Sequence, residues 1–100
     1  MNDYPSEEDL ARIEGWPLTD LDGLLDFLRK IWHWPEYLTV EGGMWRLATG
    51  GWSGNEEIVA ALRKNHMVWV MCWQRSERGG LHWFKPNWKN TNAITPLDQA

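Results

Sequence analysis

The sequence predicts one small α+β domain, and three observations carry that reading. Apolar residues recur at helical spacing in the first third of the chain. Short apolar or alternating runs bounded by glycine follow in the middle. Between them, residues 48–58, ATGGWSGNEEI, join a strand pattern to a helix start through two glycines. The order reads ααβαββ, a three-stranded mixed sheet with the helices packed mainly on one face. At 100 residues the chain suffices for a single core without metal or disulfide staples, so residues 1–100 are expected to form one domain.

The first helix is expected over residues 7–14, capped by Ser6, with acidic residues in its first turn and Leu10 and Ile13 on one face. Gly15, Trp16 and Pro17 end it. A stronger helix is predicted from Thr19 as cap to about residue 33, its stripe formed by Leu21, Leu24, Leu25, Leu28, Ile31 and Trp32, with Pro35 closing it. The turn at Glu41, Gly42 and Gly43 leads into a strand over residues 44–49, with Trp45, Leu47 and Thr49 on one face. A third helix covers residues 54–64. Residues 66–74, apolar on both faces, read as the central strand. A hairpin over residues 75–80 returns the chain antiparallel through residues 81–85, and from about residue 86 an irregular tail anchored by Trp88 is expected.

A strand, a helix and a strand in so short a span imply that the first two strands run parallel through a right-handed crossover, with the third antiparallel to both. Their C-terminal ends then share one edge of the sheet. That places Trp52, Asn55, Arg75 and Arg78 together as a candidate binding edge, where α/β sheets commonly take ligands. In the same loop, Gly50 and Gly51 allow the tight turn, and Ser53 with Glu56 fits a capping box, S-x-x-E.

Composition narrows the function classes. The lone Cys72 excludes an internal disulfide, no signal-like leader opens the chain, and no run approaches the ~18 apolar residues of a membrane span. A cytoplasmic protein is expected. Nine tryptophans in so small a body imply that some lie on the surface, where Trp often marks a binding face. Charge is uneven: residues 1–41 carry a net of −7 and residues 42–100 a net of +3. An acidic surface facing a basic partner is one consequence; the row Asp20, Asp22, Asp26 is its densest part, and a DNA-mimicking face is one use for it.

Several chemistries fit poorly. GWSGN is not the G-x-S-x-G elbow of hydrolases, because Asn55 stands where the last glycine belongs. Cys72 and His82 face each other across the predicted hairpin as a candidate dyad, yet a thiol in so apolar a strand is expected to be inert. His33, His66 and His82 lack metal-ligand spacing, and no metal or cofactor is expected. Arg46, Arg75, Arg78, Lys85 and Lys89 interleave with Trp45, Trp73, Trp83 and Trp88 as in stacking platforms for single-stranded nucleic acid, but the overall acidity weighs against that use.

The string TGGWSGNEEI, followed by W-x-x-x-C-W and then S-x-R-G-G, resembles a family of small uncharacterised bacteriophage and prophage proteins over about residues 4–84. The resemblance implies a phage accessory protein of the bacterial cytoplasm, and it assigns no catalytic residue. The expected function is therefore non-enzymatic binding of a host or phage protein, with host defence as the target, by a monomer or weak homodimer. The alternatives are a small-ligand or nucleotide binder at the strand ends and a single-stranded nucleic-acid binder.

Overall fold

The computed structural model describes residues 4–86, so the tail expected from about residue 86, with Trp88, lies outside the described residues beyond its first position. The fold is α+β. Its elements are α1 (Glu7–Glu14), α2 (Leu21–Ile31), a 3-10 turn (Pro35–Tyr37), β1 (Leu38–Glu41), β2 (Met44–Ala48), α3 (Ser53–Lys64), α4 (His66–Cys72), β3 (Trp73–Glu77) and β4 (Leu81–Phe84). The sheet has four strands in the order β1-β2-β4-β3, and every neighbouring pair is antiparallel.

Two expectations are corrected here. The first concerns β1, a strand missing from the three-strand reading: Leu38 to Glu41 pairs with Met44 to Leu47 around a two-residue Gly42-Gly43 turn. Both glycines sit at positive φ, 60° and 80°, as the twist of a two-residue hairpin requires. The second concerns residues 66–72, which form a helix rather than a central strand. Asn65 decides this by accepting from the Val68 backbone N–H at 3.2 Å as a helix cap, while its amide donates at 2.9 Å to the carbonyls of both Ile13 and Trp16. Alternation of Met67, Trp69 and Met71 thus has no strand meaning; Val68 and Cys72, four apart, are the buried pair.

The mixed sheet is likewise corrected. β2 and β3 do run in the same direction, but β4 lies between them and pairs antiparallel with each, so no parallel pair is hydrogen-bonded. Their C-terminal ends still share one end of the sheet, where the Thr49 N–H donates to the Gly80 carbonyl at 2.9 Å.

Alternation along β2 sets the layers. Trp45, Leu47 and Thr49 are buried and Arg46 is not. Phe84 lies opposite Trp45, so β4 turns the same face inward. Ile13 of α1, Leu24 and Leu28 of α2, Ile58 and Leu62 of α3 and Val68 of α4 complete one core against that face. The cap of α2 is Asp20, not Thr19: its carboxylate accepts from the Gly23 N–H at 3.2 Å, and the helix ends at Ile31. Ser6 caps α1 as expected, in a box closed by Asp9. No helix among the described residues is long and apolar enough to cross a membrane.

Candidate functional site

The GGWSGNEE segment leaves β2 and enters α3, and of its polar side chains Asn55 points into the fold while Ser53, Glu56 and Glu57 are exposed. Asn55 is fully buried. Its Oδ1 accepts from the His33 backbone N–H at 2.8 Å, and its Nδ2 donates to the carbonyls of His33 (2.9 Å) and Thr49 (3.2 Å). Thr49, also buried, donates from Oγ1 to Glu56 at 3.0 Å and accepts from the Gly51 N–H at 3.2 Å. Trp32 adds an indole N–H to the Ala48 carbonyl at 3.2 Å. These bonds tie the end of β2, the start of α3 and the exit of α2 into one rigid junction.

The capping box at Ser53 is therefore a correction. Trp52 is the N-cap residue and provides no side-chain cap. Ser53 is the first helical residue, its hydroxyl 2.5 Å from the Tyr4 hydroxyl, and Glu56 is engaged by Thr49 instead. The sequence pattern matched because Ser and Glu have the right spacing, but the turn begins one residue earlier.

What the junction holds up is a strip of aromatic rings at the sheet end. In spatial order it runs Tyr4, Trp52, His33, Trp34, Tyr37, with centroid steps of 4.9, 5.0, 4.3 and 5.8 Å. Trp34 and Tyr37 remain 38% and 45% exposed. Trp34 is the one residue other than glycine at positive φ (63°) among those described, a conformation that costs about 1 kcal/mol or more for a side chain of this size. Its ring lies over Gly50, where a Cβ would come within 2.7 Å of Cζ3. Gly50 thus serves twice, supplying its own positive φ of 64° and the space for the indole. Strain kept at an exposed aromatic, braced by a buried amide, is the pattern of a recognition element.

The four residues expected to converge are separated. Trp52 lies in the strip, half-buried between Tyr4 and His33. Asn55 supports the strip from inside and is closed to direct contact. Arg78 is exposed in the turn between β3 and β4, at the same end of the sheet. Arg75 lies on the face of the sheet away from the core, opposite Trp83, with its guanidinium carbon 4.9 Å from that ring and its Nε 2.7 Å from Glu77. Arg46 approaches the same indole at 6.0 Å and Glu41 at 4.0 Å, so Glu41, Arg46, Trp83, Arg75 and Glu77 form a ladder across the sheet. The hydrogen bond from Arg75 first, opposed next by desolvation and then aided by the Arg75 charge, Trp83 and Arg46, holds the Glu77 carboxyl below the usual range.

The Cys72 and His82 dyad is also corrected. Cys72 ends α4, buried, and burial raises its thiol to about 11, which suits the expected inertness. His82 instead faces Ser76 across the β3 and β4 pair, with Oγ and Nδ1 2.7 Å apart, while the Trp73 indole donates to the same hydroxyl at 3.0 Å. Burial lowers the His82 pKa, Glu56 opposing and Arg63 reinforcing. Among the described residues no group of three His, Cys, Asp or Glu side chains is placed to hold a metal ion.

Reasoning from the sequence overlooked Trp34, Tyr37, His33 and Tyr4 as site residues. The available signal was the run W-H-W-P-E-Y over residues 32–37, in which four ring-bearing side chains crowd around a proline where the helix must stop. No protein-family model, curated protein or solved structure matches the chain.

Proposed function

We propose that the protein is a non-enzymatic binding module that holds a partner protein against the aromatic strip. The observation that carries this reading is Trp34, exposed, strained and braced from below by Asn55 and Gly50. Exposed aromatics on a rigid support are the residue type and setting that anchor protein interfaces. The resemblance to phage proteins supports a host protein as the partner, with a defence component as the candidate target and the bacterial cytoplasm as the place.

The experiment is affinity capture from bacterial lysate with wild type, Trp34→Ala, Tyr37→Ala, Arg78→Ala and Asp22→Ala, each shown to be folded. Loss of one defined partner with Trp34→Ala and Tyr37→Ala, and retention with Asp22→Ala, is the expected result. If only Asp22→Ala releases the partner, the site moves to the acidic face of α2. Single-stranded nucleic-acid binding is the weaker alternative, because Arg46 and Arg75 are already engaged by Glu41 and Glu77. Salt-dependent retention of the wild type on single-stranded DNA would restore it, and ligand quenching of Trp52 would favour a small-molecule site.

A further inference from the structure

We propose that the groove between α3 and β4 is a second binding site, for a small zwitterion whose carboxylate and ammonium ends are separated by a short hydrocarbon chain. The groove, of about 330 Å³, is lined by Glu56, Val59, Ala60, Arg63 and Lys64 of α3 and by His82 of β4. The helical residues follow the i, i+3, i+4, i+7, i+8 spacing of a single stripe. The groove shares no lining residue with the aromatic strip.

The stripe orders the chemistry along the groove. Glu56 and Arg63 stand about two helical turns, or ~10 Å along the axis, apart, and the methyl groups of Val59 and Ala60 lie between them. One end is anionic, the other cationic, and the middle apolar. Burial is the main cause of the lowered His82 pKa, and beyond it the Glu56 charge raises and the Arg63 charge lowers that value, so one imidazole feels both ends.

Each charged end is held by an internal partner that leaves part of it unused. Among the described residues Glu56 is hydrogen-bonded through Oε2 only, to Thr49 at 3.0 Å, which leaves Oε1 for an ammonium. The Arg63 guanidinium carbon lies 4.9 Å over the Trp69 ring, a stacking that occupies the face of the group and spares its in-plane N–H fork. Among the described residues no carboxylate pairs with that fork, so it can take one from a ligand. Lys64 adds a second cation, its ammonium 4.0 Å from Glu14. His82 is fixed through Nδ1 by Ser76, which the Trp73 indole fixes in turn. A plain anion would face Glu56 and a plain cation would face Arg63 and Lys64; a zwitterion satisfies both ends.

The test is calorimetric titration and amide chemical-shift mapping with aminocaproate, with hexanoate and hexylamine as controls that each lack one charged end. The expected result is binding of aminocaproate at millimolar concentration, shifts centred on Ala60, Arg63 and His82, and roughly ten-fold weaker binding of either control. Glu56→Gln keeps an acceptor for Thr49 and Arg63→Gln changes an exposed side chain, so both should fold. Each should weaken aminocaproate binding about ten-fold. Ala60→Leu, at an exposed position, fills the apolar middle and should abolish binding. A peptide ending in lysine presents the same two charges through its terminal carboxylate and side-chain ammonium. Tighter binding of that peptide than of aminocaproate supports the proposal with a chain end as the source, and the reverse order supports it with a free small molecule. Either control binding as tightly as aminocaproate, wild-type affinity in both charge variants or in a folded Ala60→Leu variant, or no binding at millimolar aminocaproate overturns it.

Discussion

The aromatic strip at the sheet end and the ladder on the outer sheet face both place tryptophan at the surface, yet they are organised in opposite ways. In the ladder, Trp83 lies between Arg46 and Arg75, and each arginine has a glutamate beside it, 4.0 Å away for Arg46 and 2.7 Å for Arg75, so opposite charges alternate across the face. At the strip, the polar groups that do the holding are buried below, and Trp34 and Tyr37 face outward with few internal partners on their exposed sides. Abundance of Trp and Arg therefore does not locate a recognition surface. The direction in which the supporting hydrogen bonds run is what sets the proposed surface apart from the ladder.

The largest test of this contrast is Asn55→Ala. Removing one amide breaks three hydrogen bonds and leaves the His33 N–H buried, which should cost about 3 kcal/mol in chemical denaturation. A cost under about 1 kcal/mol would mean that the strip is not braced from within. Next comes the pair Gly50→Ala and Gly51→Ala. Both residues have positive φ, but only at Gly50 does a Cβ meet the Trp34 ring. Gly51→Ala should lose about 1 kcal/mol and Gly50→Ala about 2, with altered Trp34 fluorescence in the second alone. Equal costs would show that the indole does not depend on that seat.

Trp83→Ala probes the ladder. It should cost about 1 to 2 kcal/mol through lost ring contacts and cation–π pairs, while leaving partner capture unchanged. Loss of the partner from a folded Trp83→Ala variant would transfer the site to the sheet face. The smallest effect lies on the inner side of the same strand, at His82. Its folded pKa is below the unfolded value of about 6.5, so the unfolded chain takes up the proton first. Stability should be level above neutrality and decline as pH falls through that unfolded value, and His82→Gln should flatten the decline. A stability curve rising toward acid would reverse the sign argued here.

Much of the fold was legible because local chemistry and global packing agree. Ser6 with Asp9, the leucine stripe of α2 and the alternation of Trp45, Leu47 and Thr49 each point to one answer, and the α+β class follows from them. Residues 66–72 were misread because an unbroken apolar run has no period of its own, and the deciding bonds, from Asn65 to Ile13 and Trp16, span about fifty residues. β1 was more readable than it was read: Leu-Thr-Val-Glu before Gly42-Gly43 is a hairpin arm, hidden by its shortness. At the candidate site the loop singled out in the sequence is the one that supports the strip, but its residues divide between the strip and the interior. Asn55 and Ser53 are polar residues in a glycine-rich turn, and nothing local distinguishes a side chain offered to a partner from one that bonds His33, twenty-two residues upstream.

Placing β4 between β2 and β3 has a consequence for how the molecule is made. The strand that joins the two halves of the sheet is the last of the four to leave the ribosome, and its contact with β2 brings together Trp45 and Phe84 from opposite ends of a long stretch of chain. Until residues 81–84 emerge, the β1 and β2 hairpin keeps an open inner edge, and β3 has no neighbour at all. Such late, long-range closure slows assembly and leaves the nascent chain open to mispairing. A ribosome-stalled chain ending before Leu81 should accordingly be digested throughout by protease, and one extended past Phe84 with enough tether to clear the exit tunnel should become resistant in a single step.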